Sequence, residues 1–366
     1  MRILLVEPYY GGSHRAWADG YRGASRHEIA LVTHDARFWK WRMHGAHVTL
    51  AERIAREVAD GGRPDVVVAS SMTNLPALLG AARRRLADPP IVLYMHENQL
   101  GYPWSPRDER DASYPMINWG SMTVADLVLF NSDFHLRTWF AAVPTLLGSF
   151  PDHRHDHLVE AVRARSEVMP VGVDLARLDG AAIRDHPPLL LWNHRGEHDK
   201  GPDVLAAAVL ALARHGVAFR LALAGERFVS DPPEFADVRA ALGTAVVHDG
   251  FAADSVYVAL LRSADIVVST ARQEYFGVAV TEAIYAGAFP VLPHGSVYPE
   301  RIPAAFHGRC LWHDEADLVQ KLRWAIEHPT ERASIAAQLR PVMSAFDWSV
   351  VAPRYDARLA SLISGR

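Results

Sequence analysis

Residues 2–14 read RILLVEPYYGGSH, a short apolar run that ends in a pair of glycines. A run of this length, closed by Gly11 and Gly12, is typical of a buried strand that turns through a glycine loop into a helix. Helix-like stretches separate four further apolar runs, at residues 29–34, 65–71, 91–96 and 126–132. This alternation predicts an α/β domain with a parallel, doubly wound sheet.

A second alternating series follows a polar, proline-containing linker at residues 185–188. Its strand candidates are residues 189–194, 219–226, 245–250, 265–270 and 289–293. We therefore predict two Rossmann-like domains, 1–175 and 186–342, that face each other across a ligand-binding cleft. A C-terminal helical segment, 343–366, is expected to pack back on the N-terminal domain.

Composition sets broad limits on the function. The chain has 366 residues, of which 49% are hydrophobic and 22% charged, so it can form a packed core. A net charge of −4 argues against a polycationic nucleic-acid binder, so any contact with nucleic acid has to be local. Cys310 is the only cysteine, which excludes an intrachain disulfide and a cysteine-based metal cluster. We find no signal peptide or membrane span, and we expect a cytoplasmic protein without membrane contact.

The most informative segment for chemistry is QEYFGVAVTEAIYAGAFPV, residues 273–291. Glu274 and Glu282 lie eight positions apart, about 2.2 turns of helix, so Glu274 is placed in a loop and Glu282 in the helix that follows. Phe276 and Gly277 fall at the turn, where backbone N–H groups can hold a diphosphate or a sugar hydroxyl. From the spacing alone, two glutamates on a solvated helix face are an equally good interpretation.

This segment resembles the E-x(7)-E signature of retaining glycosyltransferases with the GT-B fold. The resemblance implies that Glu274 contacts the donor sugar and Glu282 the nucleotide ribose. Residues 192–209 add a second match, because Arg195 and Lys200 stand at the spacing of the pair that binds the donor diphosphate in that group. Lys200 is one of only three lysines in the chain, and a preorganised cation pair would offset the charge that develops on the leaving nucleotide.

Three segments of the N-terminal half carry unusual residues. Residues 7–14, EPYYGGSH, and residues 94–104, YMHENQLGYPW, follow predicted strands. Residues 36–46, ARFWKWRMHGA, interleave aromatic and basic side chains, a mixture that stacks on bases and holds phosphates. Taken alone, this segment is weak evidence, because aromatics at this spacing are more often core residues.

Together with LFNSDFH, residues 129–135, and FPDHRHDHL, residues 150–158, these segments resemble the tRNA-queuosine mannosyltransferases. The resemblance implies GDP-mannose as the donor and the cyclopentenediol of queuosine, at the wobble position of the tRNA for aspartate, as the acceptor. It also implies that His96 contacts the donor sugar, and that substitution occurs on the front face with retention. No carboxylate presents itself as a nucleophile. Glu97 is the nearest candidate for a base, and structural hydrogen bonding by Glu97, Asn98 and Gln99 is an equally good interpretation.

The candidate site residues follow from these matches. Those expected to act in catalysis are His96, Arg195, Lys200 and Glu274. Those expected to bind the donor are Gly12, Arg195, Lys200, Glu274, Phe276, Gly277 and Glu282. Those expected to bind the acceptor are Ser13, His14, Trp39, Trp41, Arg42, Glu97, Asn98, Gln99, Tyr102, Asp152, His153 and Arg154. No metal ion or other cofactor is expected, since the histidines and aspartates of residues 152–157 lack the spacing for ligands on one helix face.

Two other functions stay open. A glycosyltransferase of the same fold could act on a lipid, a glycan or a free nucleoside, which the net charge of −4 favours. A tRNA-binding protein that has lost transfer activity is the second alternative, and the intact Arg195, Lys200, Glu274 and Glu282 argue against it.

Overall fold

A computed structural model describes residues 1–101, 103, 111–181, 183–226 and 232–364. The strands are β1 Arg2–Tyr10, β2 Glu28–Asp35, β3 Val66–Ser70, β4 Ile91–Met95, β5 Leu127–Phe130, β6 Ser166–Val168, β7 Leu189–Trp192, β8 Arg220–Ala224, β9 Val246–Gly250, β10 Ile266–Val268, β11 Phe289–Pro293 and β12 Leu311–Trp312.

The α-helices are α1 Gly12–Ala24, α2 Trp39–Gly61, α3 Leu75–Leu86, α4 Ser113–Val124, α5 Asp133–Gly148, α6 Val159–Ala164, α7 Pro202–Arg214, α8 Glu234–Leu242, α9 Asp254–Ser263, α10 Val278–Tyr285, α11 Tyr298–Arg301, α12 His307–Cys310, α13 Glu315–Glu327, α14 Pro329–Ser344 and α15 Trp348–Ser364. Strand and helix alternate through most of the chain, as the sequence predicts.

The strands form two separate six-stranded parallel sheets. The order in the first sheet is β2-β1-β3-β4-β5-β6, and in the second it is β12-β11-β10-β7-β8-β9. Central strands such as β3 and β4 are buried at every position, because helices cover both faces of a sheet built from crossover connections. The carboxyl ends of such strands are where α/β proteins place their ligands.

The structure divides into two compact units. The first contains the described residues of 1–101, 111–173 and 348–364, and the second contains those of 174–347 apart from the gaps. Helix α15 therefore belongs to the first unit. Its Asp356 carboxylate accepts hydrogen bonds from the Tyr21 hydroxyl at 2.9 Å and the Ser25 hydroxyl at 2.6 Å, and its Tyr355 ring packs on Tyr21.

Two strands had no counterpart in the sequence prediction. β6 and β12 have three and two residues and lie at the edges of their sheets. Within the described part of the chain, no helix combines the length and apolar character needed to cross a membrane.

Candidate functional site

In the first unit, three polar side chains meet at the carboxyl ends of β1 and β4. Glu7 lies in β1 and is fully buried, His14 lies in the first turn of α1, and His96 directly follows β4. The Glu7 carboxylate is 2.9 Å from His14 Nδ1 and also accepts the Tyr9 N–H at 2.8 Å. One ligand-type atom from each of the three residues lies within 4.8 Å of the others, the spacing of a group that could hold a cation.

The His96 ring is enclosed by other rings. Its centroid lies 4.4 Å from that of His14, 4.5 Å from that of Trp17 and 4.7 Å from that of Tyr94. Burial, and then the neighbouring imidazoles of His14 and His135, lower the pKa of His96 well below its usual value. His96 is therefore neutral near pH 7, and its buried Nε2 has no hydrogen-bond partner. A neutral imidazole with one unused nitrogen can receive or donate one hydrogen bond to a ligand hydroxyl.

The loop after His96 is organised by its own side chains. The buried Asn98 carboxamide oxygen accepts the N–H groups of Leu100 at 3.0 Å and Gly101 at 2.8 Å. The N–H of the buried Gln99 donates to Asn118 at 3.3 Å, and Glu97 is half-buried. Asn98 thus shapes the loop, whereas Glu97 keeps its carboxylate closer to solvent. Tyr102, the next predicted acceptor contact, lies outside the described residues.

The glycine loop after β1 is tightly placed. Gly12 opens α1 at a φ of 50°, and a Cβ on Gly11 would lie 2.4 Å from the Ala36 Cβ. Such close approach requires glycine at position 11. Gly12 and Ser13 are exposed at the start of α1, so the loop presents a small, open surface beside His14.

The predicted aromatic segment divides into two environments. Trp39 packs on Tyr114 at 5.0 Å, in a small apolar cluster with Met43 and Met72, so this tryptophan is partly a core residue. Trp41 is 64% exposed, and the Arg42 guanidinium donates to the Asp35 carbonyl at 3.3 Å.

Asp152, His153 and Arg154 lie elsewhere in the first unit. They are exposed and follow the end of α5, a 16-residue helix that rises about 24 Å from its start beside the carboxyl end of β5. Together with Met116, Leu147 and other residues they line a cavity of about 280 Å³. Among the described residues they do not join the group formed by Glu7, His14 and His96.

In the second unit, Lys200 and Glu274 form a largely buried ion pair. Lys200 Nζ lies 3.2 Å from Glu274 Oε2 and 3.2 Å from the buried Asp199 Oδ2. Burial opposes the charge on Lys200, but the two carboxylates outweigh it and raise the pKa of the ammonium group. Burial likewise opposes the charge on Glu274, but Lys200, His194 and the Phe276 N–H outweigh it and lower the pKa of that carboxyl. Both groups are charged near pH 7.

Arg195 stands at the edge of this pair. It is exposed and makes an ion pair with Glu197 at 3.2 Å. The Arg195 guanidinium is close enough to Lys200 to lower the pKa of its ammonium group, which offsets part of the increase caused by the two carboxylates. Two cations and one well-held carboxylate thus follow β7 and β10, which suits a ligand that carries both phosphate and hydroxyl groups.

Phe276 and Gly277 contribute backbone rather than side chains. The Phe276 ring is buried against Phe346 at 5.4 Å, and the Arg301 guanidinium lies 4.2 Å from its centroid. Gly277 caps α10 at a φ of 83°, and a Cβ there would lie 3.1 Å from the Tyr298 ring. This left-handed glycine lets the chain enter α10 directly after Glu274, so that the helix N-terminus and the carboxylate lie side by side.

The Glu282 carboxylate makes two contacts within the second unit. Its Oε1 lies 2.5 Å from Arg177 and its Oε2 accepts the Tyr257 hydroxyl at 2.9 Å. Burial raises the pKa of Glu282 despite the nearby Arg177. Because a carboxylate has about four lone-pair positions, Glu282 can still accept hydroxyl groups beside these two contacts.

Several residues of these groups were missed by the sequence analysis. Glu7 had a usable signal, since it is a charged residue inside an apolar strand run. Asp199 stands next to Lys200, where a carboxylate partner could have been considered. Arg177 and Tyr257 had no usable signal in the sequence, because only the fold brings them to Glu282.

Comparisons with known proteins identify the fold and the family. Residues 179–340 match the family model described as glycosyl transferases group 1. The solved sucrose-phosphate synthase of Thermosynechococcus elongatus superposes with a TM-score of 0.76 over 100% of both chains, at 16% identity. The protein is thus a hexosyltransferase with the two-domain α/β fold known as GT-B, which confirms the predicted fold and enzyme class.

The N-terminal half makes the assignment more specific. Residues 2–173 match the family model described as tRNA-queuosine alpha-mannosyltransferase N-terminal. The tRNA-queuosine alpha-mannosyltransferase of Drosophila melanogaster is 33% identical over 312 residues, which cover 82% of this chain and 81% of that protein. The chain belongs to the tRNA-queuosine alpha-mannosyltransferase family, as the sequence predicted. A GDP-mannose-dependent alpha-(1-6)-phosphatidylinositol dimannoside mannosyltransferase of Mycobacterium tuberculosis is 30% identical over 204 residues, 53% of this chain and 52% of that one.

Proposed function

We propose that this protein transfers mannose from GDP-mannose to the cyclopentenediol of queuosine in the anticodon of a tRNA, with retention of the anomeric configuration and without a metal ion. The tRNA for aspartate is the proposed acceptor. The observation that carries the proposal is the buried Lys200–Glu274 pair beside the start of α10, in a chain that belongs to this family. The M. tuberculosis relative, described as GDP-mannose-dependent, supports the choice of donor.

In the second unit, Lys200 and Arg195 are assigned to the donor diphosphate. Charge grows on the leaving phosphate as the glycosidic bond breaks, and a cation already fixed by Glu274 and Asp199 needs no reorganisation to stabilise it. Glu274, which stays ionised, accepts hydroxyl groups of the sugar. Phe276 and Gly277 offer backbone N–H groups, and Glu282 is assigned to the ribose hydroxyls.

In the first unit, His96 is assigned to the transferred sugar near its anomeric carbon. A neutral imidazole does not oppose the positive charge that develops on an oxocarbenium-like transition state. Gly12 is assigned to the donor phosphates. Ser13, His14, Trp41, Arg42, Glu97, Gln99 and the loop shaped by Asn98 are assigned to the acceptor, with Trp39, Tyr102, Asp152, His153 and Arg154 as further proposed contacts.

The proposed step breaks the bond between the anomeric carbon and the phosphate oxygen and forms a bond from the same face to a cyclopentenediol oxygen. The proton of the attacking hydroxyl passes to the departing phosphate oxygen. This route needs no enzyme nucleophile. We also propose that the reaction takes place in the cytoplasm, since a single, buried thiol suits a reducing compartment.

The test is mass spectrometry of nucleosides from queuosine-containing tRNA after incubation with the protein and a panel of sugar nucleotides. We expect a queuosine mass increase of one hexose with GDP-mannose alone. The same shift with another donor would correct the sugar. An unmodified queuosine peak, with donor turnover on a lipid, glycan or free nucleoside, would replace the proposed acceptor.

Lys200→Ala and Glu274→Ala are expected to abolish transfer and to leave tRNA binding largely intact. The matched control is Lys321→Ala, because the side chain of Lys321 is 14% exposed against 13% for Lys200 and also pairs with a carboxylate, Asp317 at 3.1 Å. Undiminished transfer by Lys200→Ala, or equal loss in Lys321→Ala, would overturn the assignment of the donor site.

A further inference from the structure

Two exposed aromatic rings lie three positions apart in the sequence at the start of α2. Phe38, which directly precedes the helix, is 77% exposed, and Trp41 is 64% exposed. Rings of this size usually bury most of their surface, because exposed apolar area costs free energy. We call Phe38 and Trp41 the aromatic platform.

The backbone holds the platform open. Phe38 adopts a left-handed φ of 52°, a conformation that costs free energy in a residue other than glycine. This turn sends Trp39 to the buried Tyr114, while Phe38 stays in solvent. The exposed position of the Phe38 ring is therefore accompanied by backbone strain at the same residue.

Gly45 fixes the direction of the Trp41 ring. A Cβ at position 45 would lie 2.6 Å from a carbon of the Trp41 ring, so the ring lies directly over the glycine, one helical turn along. The absence of a side chain at position 45 lets the indole lie against the helix with its outer surface open. An ordered ring loses less entropy on binding than a mobile one.

Along the sequence, the charged side chains next to the platform are basic. In space, the Asp111 carboxylate lies close enough to Lys40 to interact with it. Arg37, Lys40 and Arg42 lie within residues 36–51, and that stretch contains no aspartate or glutamate. Arg37 and Lys40 are exposed. Aromatic faces with interspersed cations bind single-stranded nucleic acid, because bases stack on the rings and phosphates pair with the cations.

The platform continues the candidate site of the first unit. It follows the carboxyl end of β2, where Asp35 is in register with Tyr10 of β1, and Ala36 packs against Gly11. Gly11 begins the loop that leads to His14. The platform thus lies next to the loop assigned to the acceptor.

We propose that the aromatic platform binds unpaired nucleotides of an RNA acceptor, with bases stacked on Phe38 and Trp41 and phosphates on Arg37, Lys40 and Arg42. This inference rests on the proposed function and specifies how that acceptor is held. A single-stranded segment is the occupant that fits, because the base faces of a duplex are covered by their neighbours.

The test measures fluorescence anisotropy of a labelled heptaribonucleotide that has the sequence of the anticodon loop and lacks queuosine. Phe38→Ala and Trp41→Ala are each expected to weaken its binding about fivefold or more. Gly45→Ala is expected to weaken it as well, since the new methyl group displaces the Trp41 ring. The control is Gly80→Ala, which adds the same methyl group to helix α3 where nothing lies within 4 Å.

Equal affinity of wild type, Trp41→Ala and Gly45→Ala for the heptaribonucleotide would overturn the proposal, as would equal or tighter binding of a duplex RNA of the same length. Because the assay involves no sugar transfer, it is separable from the proposed function. If the wild type binds the oligonucleotide through the platform yet adds no hexose to queuosine-containing tRNA, the result supports the proposed role of the platform and contradicts the proposed function.

Discussion

Lys200 is predicted to be a costly charge to remove from the second unit. Lys200→Met would leave Glu274 and Asp199 largely buried, each with the cation that stood 3.2 Å away now missing. Removing one partner of a buried ion pair costs about 3–5 kcal/mol, since the remaining charge is uncompensated. For a unit of this size, that corresponds to a fall in Tm of about 6–20 °C.

Glu274→Gln should be milder, because Lys200 keeps its ion pair with Asp199. We expect a loss of about 2 kcal/mol, the value of one hydrogen bond to a charged group. The assay is thermal unfolding followed by tryptophan fluorescence, to which Trp192, buried in the second unit, contributes. Lys321→Met is the control. Its expected cost is lower, about 1 kcal/mol, because it leaves one carboxylate, Asp317, that is 26% exposed, whereas Lys200→Met also leaves Asp199, which is 4% exposed. A Glu274→Gln variant as unstable as Lys200→Met would refute the reasoning.

Two further predictions concern the same region. Burial lowers the pKa of His194 to about 4 from its ordinary 6.5, so its contribution to stability is present above pH 6.5 and is lost as the pH falls towards 4. His194→Asn should flatten this part of the urea-unfolding profile by up to about 3 kcal/mol. Gly201→Ala places a Cβ 2.3 Å from the Thr270 carbonyl oxygen at a φ of 64°, while Gly216→Ala has a similar φ of 69° and open space. Both variants place an alanine at a left-handed φ, which costs of order 1 kcal/mol. We expect only Gly201→Ala to lower Tm further and to reduce transfer. Equal losses in both variants would show that the backbone strain, and not the contact with Thr270, causes the loss of stability.

The central strands of both sheets could be predicted because each is a buried apolar run bounded by turn residues. Two of the four edge strands, β6 and β12, could not. Ser166–Val168 and Leu311–Trp312 are too short to show a period, and pairing with β5 and β11 defines them instead. Their existence depends on neighbours that are remote in sequence.

The site was predictable where chemistry follows local spacing. Lys200 and Glu274 stand in motifs that can be read from adjacent residues, and the fold joins them at 3.2 Å. The contacts of Glu282 with Arg177 and Tyr257 depend on tertiary packing, which no local pattern encodes. The aromatic segment shows a subtler limit, since at the left-handed position the Phe38 ring is exposed while the neighbouring Trp39 ring is partly buried.

Helix α15 has a consequence for the order in which the protein assembles during synthesis. Residues 174–347, which make up the second unit, leave the ribosome before the helix that covers Trp17 and Tyr21 does. Until Tyr355 and Asp356 arrive, the first unit exposes those two rings and leaves the Ser25 and Arg26 contacts unmade. The unit that is translated first is thus completed after the one that follows it. A nascent chain stalled before residue 348 would have a finished second unit attached to an unfinished first unit.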